Sequence, residues 1–310
     1  MAQRPGAQAD RQLPVGDEIF LDHVAHFVGD PHAAGRALAR AGFAPAPVSI
    51  HSSPAPDGGA PRPTGTGNVT AMLTRGYVEA LFKTADSPLG HELDAAMARY
   101  PGVHLAAFAV ADAASAHRRL DENGFRLSPL AEMQRPVEAD GKPGIAAFTI
   151  ARLEPGEMPE GRIQLLTHRT ENMVWQPRWL THPNGALGLT SVTMVVADVN
   201  EAAARFARFT SRLARPGAFG QSIELDRGRV DLITATAFIQ MVPEIPLPSL
   251  PFIAAYCISV GSLDVVEAIL IEGGLSARRF GQSVISAFPE ELGRGAWLFS
   301  CANDAGADRR

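Results

Sequence analysis

Nine histidines and a few carboxylates hold most of the chemistry this chain could perform, and some sit where polar side chains are costly. His23 lies inside the apolar run LDHVAHFV, His104 inside VHLAAFAV, and Glu79 at the middle of YVEAL. Gln164 holds the middle of a similar run, RIQLL, and His168 follows it. A carboxylate flanked by Val78 and Ala80 on a buried strand needs a partner: a metal ion, an arginine or backbone N–H groups. Arg75 and Lys83 are the ordinary candidates nearest in sequence. An amide such as Gln164 is a weak metal ligand but holds a substrate or a water well by hydrogen bonds.

Other chemistries lack their residues. No GxSxG elbow is present. Cys257 and Cys301 are far apart, each within an apolar stretch, which is neither a disulfide framework nor a zinc pattern, and thiols in such settings stay protonated. GTGN at 65–68 has no following lysine or helix start, so it reads as a strand leaving a turn, not a phosphate loop. His51, at the edge of the Pro/Gly-rich stretch 49–68, and His182, in THPNG, read as solvated loop histidines. Trp175 and Trp179 flank Arg178 and suit a packed seam.

The elements that must position these residues come from an internal repeat. An apolar strand runs to a capping Asp30 with Pro31 at the first helical position, and Gly42 ends the helix twelve residues after the cap. The pattern returns with Asp112 and Gly124, with Asp198, and with Ser262 and Gly274. A second cue closes each unit: Tyr77–Leu81, Arg162–Leu166, Phe238–Val242 and Ala296–Ser300, with Glu79, Gln164, Gln240 and Leu298 at the middle position. Each unit reads as strand, helix, three strands. One helix cannot cover both faces of a four-stranded sheet, so units must pair. The predicted class is α+β, with four βαβββ modules paired into two cupped mixed-sheet halves.

The order and fourfold recurrence of these cues over residues 18–301 resemble the vicinal oxygen chelate superfamily, and within it the glyoxalase-like domain proteins. The resemblance implies a cupped sheet and a divalent metal (Fe2+, Mn2+, Ni2+ or Zn2+) held by first and last strands. His23, seven residues before Asp30, and Glu79 match the ligand positions, with His104 as the third candidate. Two imidazoles and one carboxylate would leave open positions for water and substrate. His104, however, lies eight residues before Asp112, so that Leu105 strictly matches His23; a β-bulge would restore the face. By the same register His26 faces away from His23. Glu79 is the expected catalytic base, Gln164 a substrate contact, and His168 a substrate contact closing over the cup mouth. The matching first-strand positions of units three and four are Ser191 and Ala255, and no histidine follows His182, so the C-terminal half offers no imidazole site.

The expected organisation is a disordered tail at 1–17, an N-terminal module pair at 18–174, a linker at 175–186, a degenerate C-terminal pair at 187–302 and a tail at 303–310. The expected activity is that of a metal-dependent dioxygenase, lyase or isomerase acting on a small molecule with adjacent oxygens. The alternatives are a metal-free protein that sequesters a small molecule and a scaffold that forms homodimers. A net charge of −5 without a basic block argues against nucleic acid. The absence of an eighteen-residue apolar run argues against a membrane span. A polar start without an apolar signal core points to the cytoplasm.

Overall fold

A computed structural model describes residues 11–55 and 57–302. The first module comprises β1 (Ile19–Phe27), α1 (Pro31–Arg40), β2 (Ser49–Ser53), β3 (Arg62–Met72) and β4 (Tyr77–Lys83). A connector helix, α2 (Pro88–Arg99), leads to the second: β5 (Gly102–Val110), α3 (Ala113–Glu122), β6 (Ala131–Ala139), β7 (Lys142–Arg152) and β8 (Arg162–His168). A short α4 (Glu171–Val174) starts the passage to the third: β9 (Ala186–Val195), α5 (Val199–Thr210), β10 (Ala214–Pro216), β11 (Gly220–Glu224) and β12 (Arg229–Ile233). After α6 (Ala235–Met241) the fourth has β13 (Phe252–Val260), α7 (Leu263–Glu272), β14 (Arg278–Phe280), β15 (Ser283–Ala287) and β16 (Ala296–Cys301). The predicted caps form: Asp30, Asp112, Asp198 and Ser262 each accept backbone N–H groups of the first helical turn.

The first two modules close into a ring. Its order is β1-β4-β3-β2-β6-β7-β8-β5, with β5 pairing back on β1 and a single pairing, Ser52 with Gln134, joining β2 to β6. The other two modules share the β9–β13 pairing but stay open, because their outer strands β10 and β14 have only three residues each. One apolar core draws on all four modules and their helices, including Leu38 of α1, Leu120 of α3, Phe206 of α5 and Leu270 of α7. A separate cluster, with Phe27, Leu81, Leu105 and Trp175, belongs to the N-terminal pair.

The third unit departs from expectation. Phe238–Val242 is not its last strand: Ala235–Met241 is the helix α6, and the strand paired parallel with β9 is Arg229–Ile233. Phe238, Met241, Val242 and Ile245 pack with Ala255, Phe252 and Ile285 and fill the C-terminal cup. Residues 11–17, read as part of a loose tail, are tied down by Arg227, which donates to the carbonyls of Arg11 and Gln12, while 1–10 and 303–310 lie outside the described residues. Among the described residues no helix is long and apolar enough to cross a membrane.

Candidate active site in the N-terminal ring

Strand pairing fixes which residues are equivalent. In the four parallel pairs of first and last strands, His23 faces Tyr77, Leu105 faces Arg162, Ser191 faces Arg229 and Ala255 faces Ala296. Two residues further along each last strand stand Glu79, Gln164, Asp231 and Leu298. Leu105, not His104, therefore occupies the place of His23, and the third unit's counterpart of Glu79 is Asp231 rather than Gln240.

A bulge precedes each of the four first-strand positions. Asp22, His104, Thr190 and Ala254 are the extra residues where the antiparallel registers β1–β5 and β9–β13 slip. The bulge at His104 exists, yet it does not carry that ring to the site. His104 Nε2 lies 2.7 Å from the carbonyl oxygen of Tyr100, and its ring stacks on Tyr100 at 4.0 Å. The predicted ligand set of His23, Glu79 and His104 is thus corrected: His104 is a packing residue. In the first module the same bulge lets Asp22 turn toward its neighbour, and Asp22 Oδ2 lies 2.7 Å from His23 Nδ1.

A cavity of about 520 Å³, including its mouth, lies within the ring, and all eight strands contribute to its wall. His23 and Glu79 do meet there, with Nε2 3.7 Å from Oε2. The His23 ring stacks on Tyr77 at 4.3 Å. Asn68 Nδ2 donates to Glu79 Oε1 at 2.6 Å, and His51 Nε2 stands 3.9 Å from the same oxygen. Burial lowers His51 to about 4, against a weaker opposite pull from Glu79, so the ring is neutral near pH 7. Gln164 lines the cavity and accepts from Arg152 Nε at 3.3 Å. Arg135 and Arg162 complete the cationic side.

His168 does not close the mouth. It is buried beside the cavity wall, with Nε2 2.9 Å from Asp22 Oδ1 and its ring edge-on to Trp175 at 4.6 Å. Asp22 thus bridges two imidazoles. Burial alone would raise its carboxyl, but the charges and hydrogen bonds of His168 and His23 outweigh that and hold it well below the usual carboxylate range.

Sequence reasoning missed His51, Asn68, Arg135 and Arg152. The prolines and glycines of 49–68 suggest a loop, whereas Ser49–Ser53 and Arg62–Met72 are strands. The alternation Thr64, Thr66, Asn68 was the available signal.

The donor set does not match a three-ligand metal centre. Among the described residues no group of three or more His, Cys, Asp or Glu side chains is placed to hold one metal ion. His23 and Glu79 are the pair nearest to one, and one Glu79 oxygen is already engaged by Asn68.

The fold has known counterparts. A protein from Staphylococcus aureus described as hypothetical superposes with a TM-score of 0.63 at 8% identity, over 91% of this chain and 99% of that one. A mutant of 4-hydroxymandelate synthase from Streptomyces coelicolor gives 0.53 at 13% identity, over 91% and 92%. A xylose isomerase-like TIM barrel/4-hydroxyphenylpyruvate dioxygenase fusion protein gives 0.53 at 11% identity, over 96% of this chain but 51% of its own length. At these identities the likeness concerns the fold alone. Comparison with curated proteins gives no match. The model of the family described as glyoxalase-like domain matches residues 21–210, more than half of the chain. With its βαβββ modules and closed N-terminal ring, the chain belongs to the glyoxalase-like domain family, of the vicinal oxygen chelate fold.

Proposed function

We propose that the N-terminal ring is the active site of an isomerase or lyase that moves a proton on a small molecule with adjacent oxygens. The observation that supports this reading is the facing pair His23–Glu79, 3.7 Å apart inside a walled cavity. Glu79 removes a proton from a carbon next to a carbonyl, and the electron pair moves onto the carbonyl oxygen. Gln164 and the guanidinium groups supply donors where that negative charge develops. Asp22 holds Nδ1 of His23, so Nε2 is directed toward Glu79 and can relay the proton to the neighbouring oxygen. Proton return to the adjacent carbon completes an isomerisation, and loss of a leaving group completes a lyase reaction. No step runs through the divalent metal that the family resemblance implies, because among the described residues no three His, Cys, Asp or Glu side chains are placed to hold one.

Hydrogen exchange in D2O, followed by NMR on hydroxyacetone and hydroxypyruvate, tests the reading. Protein-dependent exchange at the carbon between the oxygens is expected, with a loss of about 100-fold or more in Glu79→Gln and no change in His104→Ala. Equal exchange with and without protein would sink it. Tight binding of such a molecule without exchange would favour the sequestering alternative, for which the same cavity is also suited.

A further inference from the structure

Arg135 of β6 is 9% exposed, yet among the described residues it makes no hydrogen bond and no ion pair. It lines the cavity together with Arg152, whose guanidinium gives one bond, from Nε to Gln164. Arg162 is different, since Glu92 takes up its charge at 2.6 Å. Among the described residues Glu79 is the one carboxylate in the wall. Two guanidinium groups without ion pairs therefore face a single carboxylate. Burial lowers Arg152 to about 10, which leaves it protonated near neutral pH, and His51 is neutral there. The groups that line the cavity thus carry one positive charge in excess, the Asp22 carboxylate behind them being taken up by His23 and His168, and burying a charge without a partner is costly.

A ligand with one negative charge would remove that cost. The planar fork of an arginine matches the two oxygens of a carboxylate. Leu81, Leu105, Phe148, Ile150 and Leu166 offer an apolar wall for a carbon skeleton. We propose that Arg135, assisted by Arg152, anchors the carboxylate of a small organic acid and directs its oxygenated carbon toward Glu79 and His23. A phosphate dianion fits less well, because its second charge would face Glu79 without compensation. The orientation toward Glu79 rests on the proton-transfer reading, whereas the anion grip does not.

Calorimetry and thermal melting of the full chain with pyruvate, 2-oxobutyrate, benzoate, methyl pyruvate and inorganic phosphate test the proposal. At least one of the three acids is expected to bind once per chain, and methyl pyruvate at least tenfold more weakly than pyruvate. Arg135→Met should weaken acid binding at least tenfold while raising the melting temperature of the free protein, because it removes an uncompensated buried charge. Arg135→Lys should recover part of the affinity. Glu79→Gln should bind the acids as tightly as the wild type or more tightly, even with exchange abolished, which separates this proposal from the catalytic one. Equal binding of the ester and the acid, unchanged affinity in Arg135→Met, tighter binding of phosphate, or no binding by any acid would overturn it.

Discussion

Asp22 Oδ1 lies 2.9 Å from Nε2 of His168, 146 residues further along the chain, while its other oxygen lies 2.7 Å from Nδ1 of His23. One buried carboxylate therefore orients the His23 imidazole and pins β8 to β1 across the ring. Asp22→Asn keeps the shape but removes the charge. It is expected to destabilise the fold by about 3 kcal/mol at neutral pH. The folded pKa is depressed, so the stabilisation is complete above the unfolded value near 3.8 and fades only as pH falls below it. Urea denaturation at pH 5, well above the carboxyl's unfolded value, should show the variant clearly less stable than the wild type; equal stability there would contradict the assignment.

His26 faces away from His23, as its register requires. Its Nδ1 lies 2.8 Å from the carbonyl of Leu292 and its Nε2 2.8 Å from the hydroxyl of Tyr256, which also accepts from Trp297. Burial lowers His26 to about 4, although the Leu292 carbonyl pulls upward. The unfolded chain therefore binds the proton first, and stability is lost as pH falls from about 6.5 toward about 4. His51 and His104 are lowered to about 4 by burial as well. Melting temperature against pH should fall through this window, and His26→Gln should lower the slope in part, since burial lowers His182 too and the response is shared. An unchanged slope would exclude His26 from the acid response.

Arg205 of α5 makes a two-pronged pair with Glu160, at 2.7 and 2.9 Å, that joins the C-terminal half to the turn before β8. Glu201, one helical turn away, shares the same guanidinium. Glu160 is 1% exposed, and Glu160→Gln leaves Arg205 with the exposed Glu201 as its ion partner, so it should cost about 1–3 kcal/mol. Replacing both partners by Met should recover most of that loss. Chemical denaturation of the single and double variants checks both expectations.

Metal removal separates two readings of His23 and Glu79. With no third His, Cys, Asp or Glu placed to join them among the described residues, chelation is expected to leave the melting temperature within about 1 °C and the hydrogen exchange unchanged. A stoichiometric metal whose loss lowers both, and which disappears in a His23→Ala/Glu79→Ala variant, would restore the metal-dependent reading.

The module plan was legible because capping residues and strand cores are local signals. Counting back from Asp30, Asp112, Asp198 and Ser262 reached the correct equivalents of His23 in every unit, Leu105 included. Counting failed at Phe238–Val242, where an apolar run fits a buried strand and a buried helix equally well. It also failed at His51 and Asn68, because nearby prolines and glycines resemble a loop even when the flanking residues pair as strands.

From its sequence alone, the chain determined that four units of strand, helix and three strands would form, and that His23 and Glu79 would occupy corresponding positions on the first and last strands of one unit. Those features depend on short-range periodicity and capping, which act within a dozen residues. Only the tertiary structure decided that β5 closes on β1, that the bulge at Asp22 turns a carboxylate onto His23 while the bulge at His104 ends against Tyr100, and that Arg135 enters the same cavity. Side-chain direction at a bulge and convergence across a closed ring depend on registers between strands far apart in the chain, and no local pattern encodes them.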